Sequence, residues 1–224
     1  MHEHLERSSA RHGMMNHMAA AGFAAGAGRD GERPPARGPF DPPRIIGVTA
    51  AHHREGVTST ALELARALAA EPDARVVLIE ANLRRPALGR MLDRIAAPGL
   101  AELLVVGVPL TALPVAIDAD RLWLIGAGSR AAAVQCDAIG RALAEASRQF
   151  DCAIVDLPPV RAYTDAVLLA PWVGAVVLVA AAERTPFADV EDAARKLEAA
   201  GAQCVGVVLA RQHPSVPRPV EGRA

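Results

Sequence analysis

Residue types able to do chemistry cluster at three places in this chain. The first is Gly56 with Thr58, at the junction between an apolar run from Ile45 to Thr49 and a segment with helical spacing at Leu62, Leu64, Ala65 and Leu68. A glycine there lets backbone N–H groups face an anion at a helix N-terminus, and a nearby hydroxyl can reach a divalent cation. The second is the group Glu80, Asn82, Arg84 and Arg85, which closes another apolar run. The third is Asp156, at the end of DCAIVDLPPV, where a carboxylate can hold the water shell of a cation. The complete phosphate-binding pattern is G-x-x-x-x-G-K-[ST], and this chain departs from it. Ala51 replaces the first glycine and Val57 stands where the lysine should be. Lys196 is the only lysine in the chain, so no other lysine lies near the loop. Arg54 and Arg84 could bring a guanidinium to a phosphate, although neither holds the lysine's position. His52 and His53, adjacent in the loop, are expected to be solvated.

These groups need a sheet to carry them. Ile45 to Thr49 and Arg75 to Glu80 read as buried parallel strands, and the helix between them is expected to open at Thr58. In open α/β sheets ligands sit beyond the carboxyl ends of the strands, so Glu80, Asn82 and the loop would face one crevice. Gly99 to Ile117 reads as a short helix and an irregular connection, and Arg121 to Ile125 as a third strand. The GAGSR that follows is a glycine-rich turn, and a helix is expected from Ala131 to Phe150. Asp151 to Asp156 is a strand, after which Pro158 and Pro159 force a turn. Asp165 is expected to cap the short helix TDAVLLA. A strand from Gly174 to Ala181, an amphipathic helix from Phe187 to Ala200 and a last strand from Gln203 to Leu209 complete the pattern. The fold class expected is α/β: a mostly parallel sheet flanked by helices in three layers.

Composition narrows the function classes. A chain of 224 residues with 51% apolar content has room for one α/β domain and a sizeable core. A formal net charge of -1 gives no support to general nucleic-acid binding. Cys136, Cys152 and Cys204 form no C-x-x-C pair, which suggests neither zinc nor a redox motif, and Cys152 and Cys204 are expected in the core. Pro171 and Gly174 interrupt the uncharged run from Ala166 to Ala182, so no membrane span is expected. Residues 1–43 read as a disordered arm whose scattered histidines are incidental, and 212–224 as a proline-rich tail, leaving 44–211 as the domain.

Three motifs together resemble one family over nearly all of the chain after Pro43. IIGVTAAHHREGVTS is similar to the Walker A region of the bacterial tyrosine kinases (BY-kinases) of capsule and exopolysaccharide systems, usually close to TSAxPGEGKST. LIEANLRRP resembles their second acidic motif, LIDxDxRRP, and IVDLPPV their Walker B motif, IIDxPP. GLAELLVVG and YTDAVLLA match intervening segments. The resemblance implies a P-loop NTPase fold of the MinD/ParA type and a cytoplasmic domain working at the inner membrane beside a transmembrane polysaccharide co-polymerase, with cycling between oligomer and monomer. It also implies ATP or ADP with Mg²⁺ as ligand. Ala51, Arg54, Glu55, Gly56, Val57, Thr58 and Ser59 would line the phosphates, Thr58 and Asp156 would hold the metal, and Glu80, Asn82 and Asp156 would occupy the catalytic positions.

Against the family pattern, His53 and Arg54 replace Pro-Gly, Val57 replaces lysine, Glu80 replaces aspartate and Asn82 carries no charge. Phosphoryl transfer depends on electrostatic stabilisation, and losing one well-placed group costs factors of about 10² to 10³. The tail lacks a tyrosine cluster, and Tyr163, the only tyrosine, is expected inside the domain. The leading expectation is therefore a catalytically impaired, BY-kinase-like regulator of exopolysaccharide synthesis or export. The alternatives are an active kinase or ATPase that uses Arg54, and a positioning ATPase of the ParA/MinD type.

Overall fold

The computed structural model describes residues 45–93, 98–118, 121–129 and 134–210. The arm and the tail lie outside the described residues, as do residues 131–133 at the expected start of one helix. Seven strands form one sheet: β1 (Ile45–Ala50), β2 (Val76–Glu80), β3 (Val115–Asp118), β4 (Leu122–Ile125), β5 (Cys152–Asp156), β6 (Ala175–Ala181) and β7 (Gln203–Ala210). Their order is β3-β4-β2-β5-β1-β6-β7, and every pairing is parallel except β3 with β4. The helices are α1 (Val57–Ala69), α2 (Leu88–Met91), α3 (Leu100–Val106), α4 (Cys136–Gln149), α5 (Asp165–Leu169) and α6 (Phe187–Ala199).

The sheet carries a core on each face, as its uninterrupted apolar central strands require. Ile46, Val48, Leu78 and Ile154 pack with Leu62, Leu64 and Ala65 of α1 on one face. Val77, Val155 and Leu178 pack with Ile139 and Leu143 of α4 and with Ala193 and Leu197 of α6 on the other. β1 and β5 sit side by side in the middle, and β2 adjoins β5, so the ends of all three meet at one edge of the sheet.

Four departures from the sequence reading have local causes. β3 lies in what reads as an irregular connection: four residues at the edge of the sheet, bulged between Ala116 and Asp118, are too short for a periodic signal. α4 is described from Cys136 onward, with Gln135 before it. Asp165 does not cap α5; Thr164 precedes the helix, and Asp165 is its first residue with its carboxylate turned to Arg84. Cys152 and Cys204 are half-buried and pack against the cores from outside.

The glycine-rich turn after β4 has a packing role. Leu100 and Ala101 N–H donate to the carbonyls of Gly126 and Ala127 at 2.9 Å each. A Cβ on Gly99 would collide with the backbone of Gly126 and Gly128. Glu102 accepts from Gly99 N–H at 2.7 Å and from the Ser129 N–H and hydroxyl at 3.1 and 2.9 Å, which fastens the turn to α3.

Candidate functional site

The loop from Ala51 to Gly56 joins β1 to α1 at the carboxyl edge of the sheet. Gly56 precedes the helix at φ 95°, and Arg54, in the place of a family glycine, also takes a left-handed φ of 62°. The loop thus keeps a glycine-like turn on a residue that adopts it at a cost. Ala51 is buried, Val57, Thr58 and Gly56 are half-buried, and Arg54 and Ser59 are exposed. Val57 packs against the core on the α1 face, so the lysine's position is occupied by an apolar contact as well as emptied of charge.

Asp156 ends β5 and is almost fully buried, and neither of its carboxylate oxygens has a formed hydrogen bond. Burial pushes its pKa up to about 7; the Thr58 hydroxyl beside it works in the opposite direction, and the charge of Glu80 adds to the rise. The Thr58 hydroxyl is near enough to act on the carboxylate without forming a hydrogen bond to it, so both oxygens are without a partner. A buried carboxylate left so is rare and is a site for a proton or a cation.

Glu80 lies opposite Asp156 in the register of β2 and β5. Its side chain is committed to backbone groups. One oxygen accepts from Ala87 and from Leu88, the latter at 2.7 Å, and the other accepts from Ala127 at 3.1 Å. The longer side chain reaches past the crevice to the turn before α2, and its carboxylate orders two loops. Asn82 is half-buried and accepts from the Arg85 N–H through its side chain at 3.3 Å.

The loop's remaining side chains tie it to distant segments. Glu55 accepts from His52 N–H at 3.0 Å and from the Thr185 hydroxyl, which itself accepts from Ala181 N–H at 2.9 Å. His52 Nε2 lies 2.8 Å from Asp189 Oδ2, whose other oxygen accepts from Arg161 at 2.6 Å. His53 meets Tyr163 edge to face with ring centres 5.4 Å apart. Burial, then Arg85, Arg54 and His52, lower the pKa of His53, which favours the neutral ring. The loop histidines are therefore partnered where the sequence reading expects solvation. Arg84 binds Asp165 through two nitrogens at 2.6 and 3.2 Å and lies 4.8 Å from the centre of the half-buried Tyr163 ring. It is thus spoken for, whereas Arg85 and Arg54 extend into solvent.

The structure brings Thr58, Glu80 and Asp156 to one edge and leaves Arg54 and Ser59 facing outward. Thr185 and Asp189 escape sequence reasoning, which reads Asp165 only as a helix cap and not as the partner of Arg84. Thr185 lies 130 residues from Glu55 and Asp189 137 from His52, and no local pattern links such pairs. A cavity of about 300 Å³ beside the loop is lined by His52, His53, Glu55, Arg184, Pro186 and Asp189. A larger groove of about 570 Å³, between Tyr163 and Lys196, is lined by no residue of the loop.

No family model matches the chain. It is 29% identical over 144 residues to the tyrosine-protein kinase Ptk of Acinetobacter johnsonii, a match covering 62% of this chain and 20% of that protein. It is 27% identical over 178 residues to the tyrosine-protein kinase CpsD of Streptococcus agalactiae, covering 77% of each. Over 176 residues it is 27% identical to the succinoglycan biosynthesis transport protein ExoP of Rhizobium meliloti, covering 74% of this chain and 22% of ExoP. The chain therefore spans well under two thirds of the first and third of these relatives. Among solved structures, the kinase domain of the Escherichia coli tyrosine kinase ETK superposes with a TM-score of 0.66 at 26% identity, covering 76% of this chain and 69% of that one. The septum site-determining protein MinD of Pyrococcus horikoshii, complexed with Mg-ADP, gives 0.65 at 18% identity over 74% and 69%, a likeness of fold alone.

Proposed function

We propose that this chain, a relative of the bacterial tyrosine-protein kinases with their P-loop NTPase fold, acts by binding, as a regulatory or scaffolding component of exopolysaccharide or capsule synthesis or export, and is impaired in phosphoryl transfer. Its partner on this reading is a membrane-embedded polysaccharide co-polymerase, and its place is the cytoplasmic face of the inner membrane. ExoP, a named biosynthesis transport protein, supports the process, since its matching part is about a fifth of a larger protein.

The observation that carries the impairment is the state of the crevice. Val57 packs apolar surface where a phosphate-binding charge belongs, and Glu80 spends its carboxylate on three backbone N–H groups. What remains fits a magnesium ion. A buried, unpartnered Asp156 beside the Thr58 hydroxyl is a hard oxygen donor set, suited to a cation that keeps most of its water. With nucleotide, Mg²⁺ would supply charge neutralisation at the phosphates. Gly56 and the first turn of α1, with Ser59, would offer backbone N–H groups to them, and Thr58 and Asp156 would orient the ion's water shell. Asn82 brings no negative charge to the catalytic position, which further weakens activation of an attacking hydroxyl.

The test is calorimetric titration of Mg²⁺-ATP and Mg²⁺-ADP into the native chain and into Val57→Lys. Weak or absent binding by the native chain, with a gain of at least about tenfold in the variant, supports the reading. Autophosphorylation or peptide phosphorylation by the native chain at the turnover of ordinary kinases, about 1 to 100 s⁻¹, would end it.

An active enzyme is the second reading, and one observation favours it. Arg54 stands exposed in the loop at a left-handed φ, without a carboxylate partner among the described residues. Under that reading Arg54→Ala abolishes turnover.

A further inference from the structure

The groove of about 570 Å³ between Tyr163 and Lys196 stands open among the described residues. It lies between the segment that leads into α5 and the later turns of α6. Val160, Val167, Ala199 and the half-buried Tyr163 ring give it an apolar floor. Its rim carries both signs of charge. Lys196 lies 2.8 Å from Asp192 and is still 50% exposed, while Arg161 on the other side is held by Asp189 at 2.6 Å. An aromatic and apolar groove with a polar rim suits an extended, proline-containing segment. β7 brings one to its neighbourhood. The strand ends at Ala210, whose carbonyl accepts from Ala182 N–H at 3.0 Å, in the turn that leads to Pro186 and α6. After Ala210 the sequence continues RQHPSVPRPVEGRA, outside the described residues.

We propose that residues 216–221 of this same chain, VPRPVE, dock in the groove in the polyproline II conformation. With three residues per turn, Val216 and Pro219 fall on one edge, Pro217 and Val220 on the next, and Arg218 and Glu221 on the third. Two apolar edges thus meet the floor, with proline against the Tyr163 ring, and the charged edge meets the rim. The order of charges agrees with the direction of entry. Arg218 comes before Glu221, and Asp192 comes before Lys196 along α6 from Pro186, so each meets its opposite. One turn of the segment advances about 9 Å, and Asp192 to Lys196 is about 6 Å of helix, a difference that the long side chains absorb. Reach selects this chain's own segment. Residues 211–215 span about 16 Å when extended, and Asp192 lies only about 9 Å along α6 from Pro186. A tether of that length holds the segment at an effective concentration of about millimolar, an advantage over any free peptide of like chemistry.

Lys196, the only lysine in the chain, makes the contact directly readable. Carbodiimide joins an amine to a carboxylate in contact with it, so the full chain is cross-linked at several concentrations and its monomer fraction is mapped by mass spectrometry. The expected product links Lys196 to Glu221, with a yield independent of protein concentration. In Val216→Ser/Val220→Ser, which keeps both reacting groups and alters no described residue, that yield should fall at least about tenfold. The Lys196–Asp192 link, from the pair seen on α6, serves as the internal control and should persist. A Lys196–Asp192 link without any link to Glu221 overturns the proposal. A tail link found only between two chains overturns it too and assigns the groove to a second copy. So does a Lys196–Glu221 yield that the serine pair leaves undiminished.

Discussion

Asp156 shows what one side chain's surroundings can do to its chemistry. Burial, opposed by the Thr58 hydroxyl and reinforced by the charge of Glu80, raises its pKa from 3.8 to about 7. A raised carboxyl pKa means that the folded state favours the protonated form. The associated stability is complete below the ordinary value and lost as pH rises through about 7. Asp156→Asn, which cannot ionise, should therefore unfold like the native chain near pH 4 and be the more stable of the two near pH 8. The gap is on the order of 4 kcal/mol at most, and is read from urea midpoints across that range. A gap that stays flat with pH would show that the carboxylate is not the group titrating. A bound cation requires the ionised form, so Mg²⁺ affinity, followed by calorimetry, should climb through the same interval. Glu80 yields a second prediction at this scale. Shortening it to aspartate withdraws the carboxylate from Ala87, Leu88 or Ala127 and leaves buried N–H groups unsatisfied. Glu80→Asp, although it matches the motif that LIEANLRRP resembles, should cost about 1 to 3 kcal/mol in urea unfolding.

At the scale of elements, the helices that flank the site are held by contacts that tolerate little volume change. Gly140 in α4 lies under the indole of Trp172, and a Cβ there would overlap the ring. Gly140→Ala should destabilise by about 1 to 3 kcal/mol, with a lowered denaturant midpoint at unchanged m-value. On the opposite face of the sheet, α1 presents Leu62, Leu64 and Ala65 to β1 and β5, which fixes where Thr58 can reach. The segment after Asp156 runs back beside the start of the loop. Leu157 and Val160 N–H donate to Val48 and Ala50 at 2.9 Å, and Thr49 Oγ1 donates to the Pro158 carbonyl at 2.7 Å. These bonds tie the segment after Asp156 to the start of the loop.

For the whole molecule, the formal net charge of -1 gives no general attraction for nucleic acid, and Arg84 and Arg161 are paired with aspartates. Fluorescence anisotropy with duplex DNA should give no binding beyond the non-specific range of about 10⁻⁴ to 10⁻⁶ M at physiological salt. Tighter binding would favour a positioning ATPase, whose fold this chain shares with MinD. No described helix is long and apolar enough to cross a membrane.

The sequence alone determined the order of strands and helices around the site and the positions of Gly56, Thr58, Glu80 and Asp156 at their ends. Those features are written in local period and punctuation: apolar runs of strand length, helical spacing, and glycine or proline where the chain turns. It also put Val57 at the position where the phosphate-binding pattern has lysine, which is a matter of residue identity alone. Only the tertiary structure decided what the remaining groups are free to do. It committed Glu80 to the backbone of Ala87, Leu88 and Ala127, joined Glu55 to Thr185 and His52 to Asp189, and left Asp156 buried without a partner. The short edge strand β3 belongs with these, because pairing with β4 defines it more than its own four residues do. Partner choice between residues more than a hundred positions apart, and the desolvation that raises a carboxyl pKa, are properties of the packed environment. No window of sequence contains them.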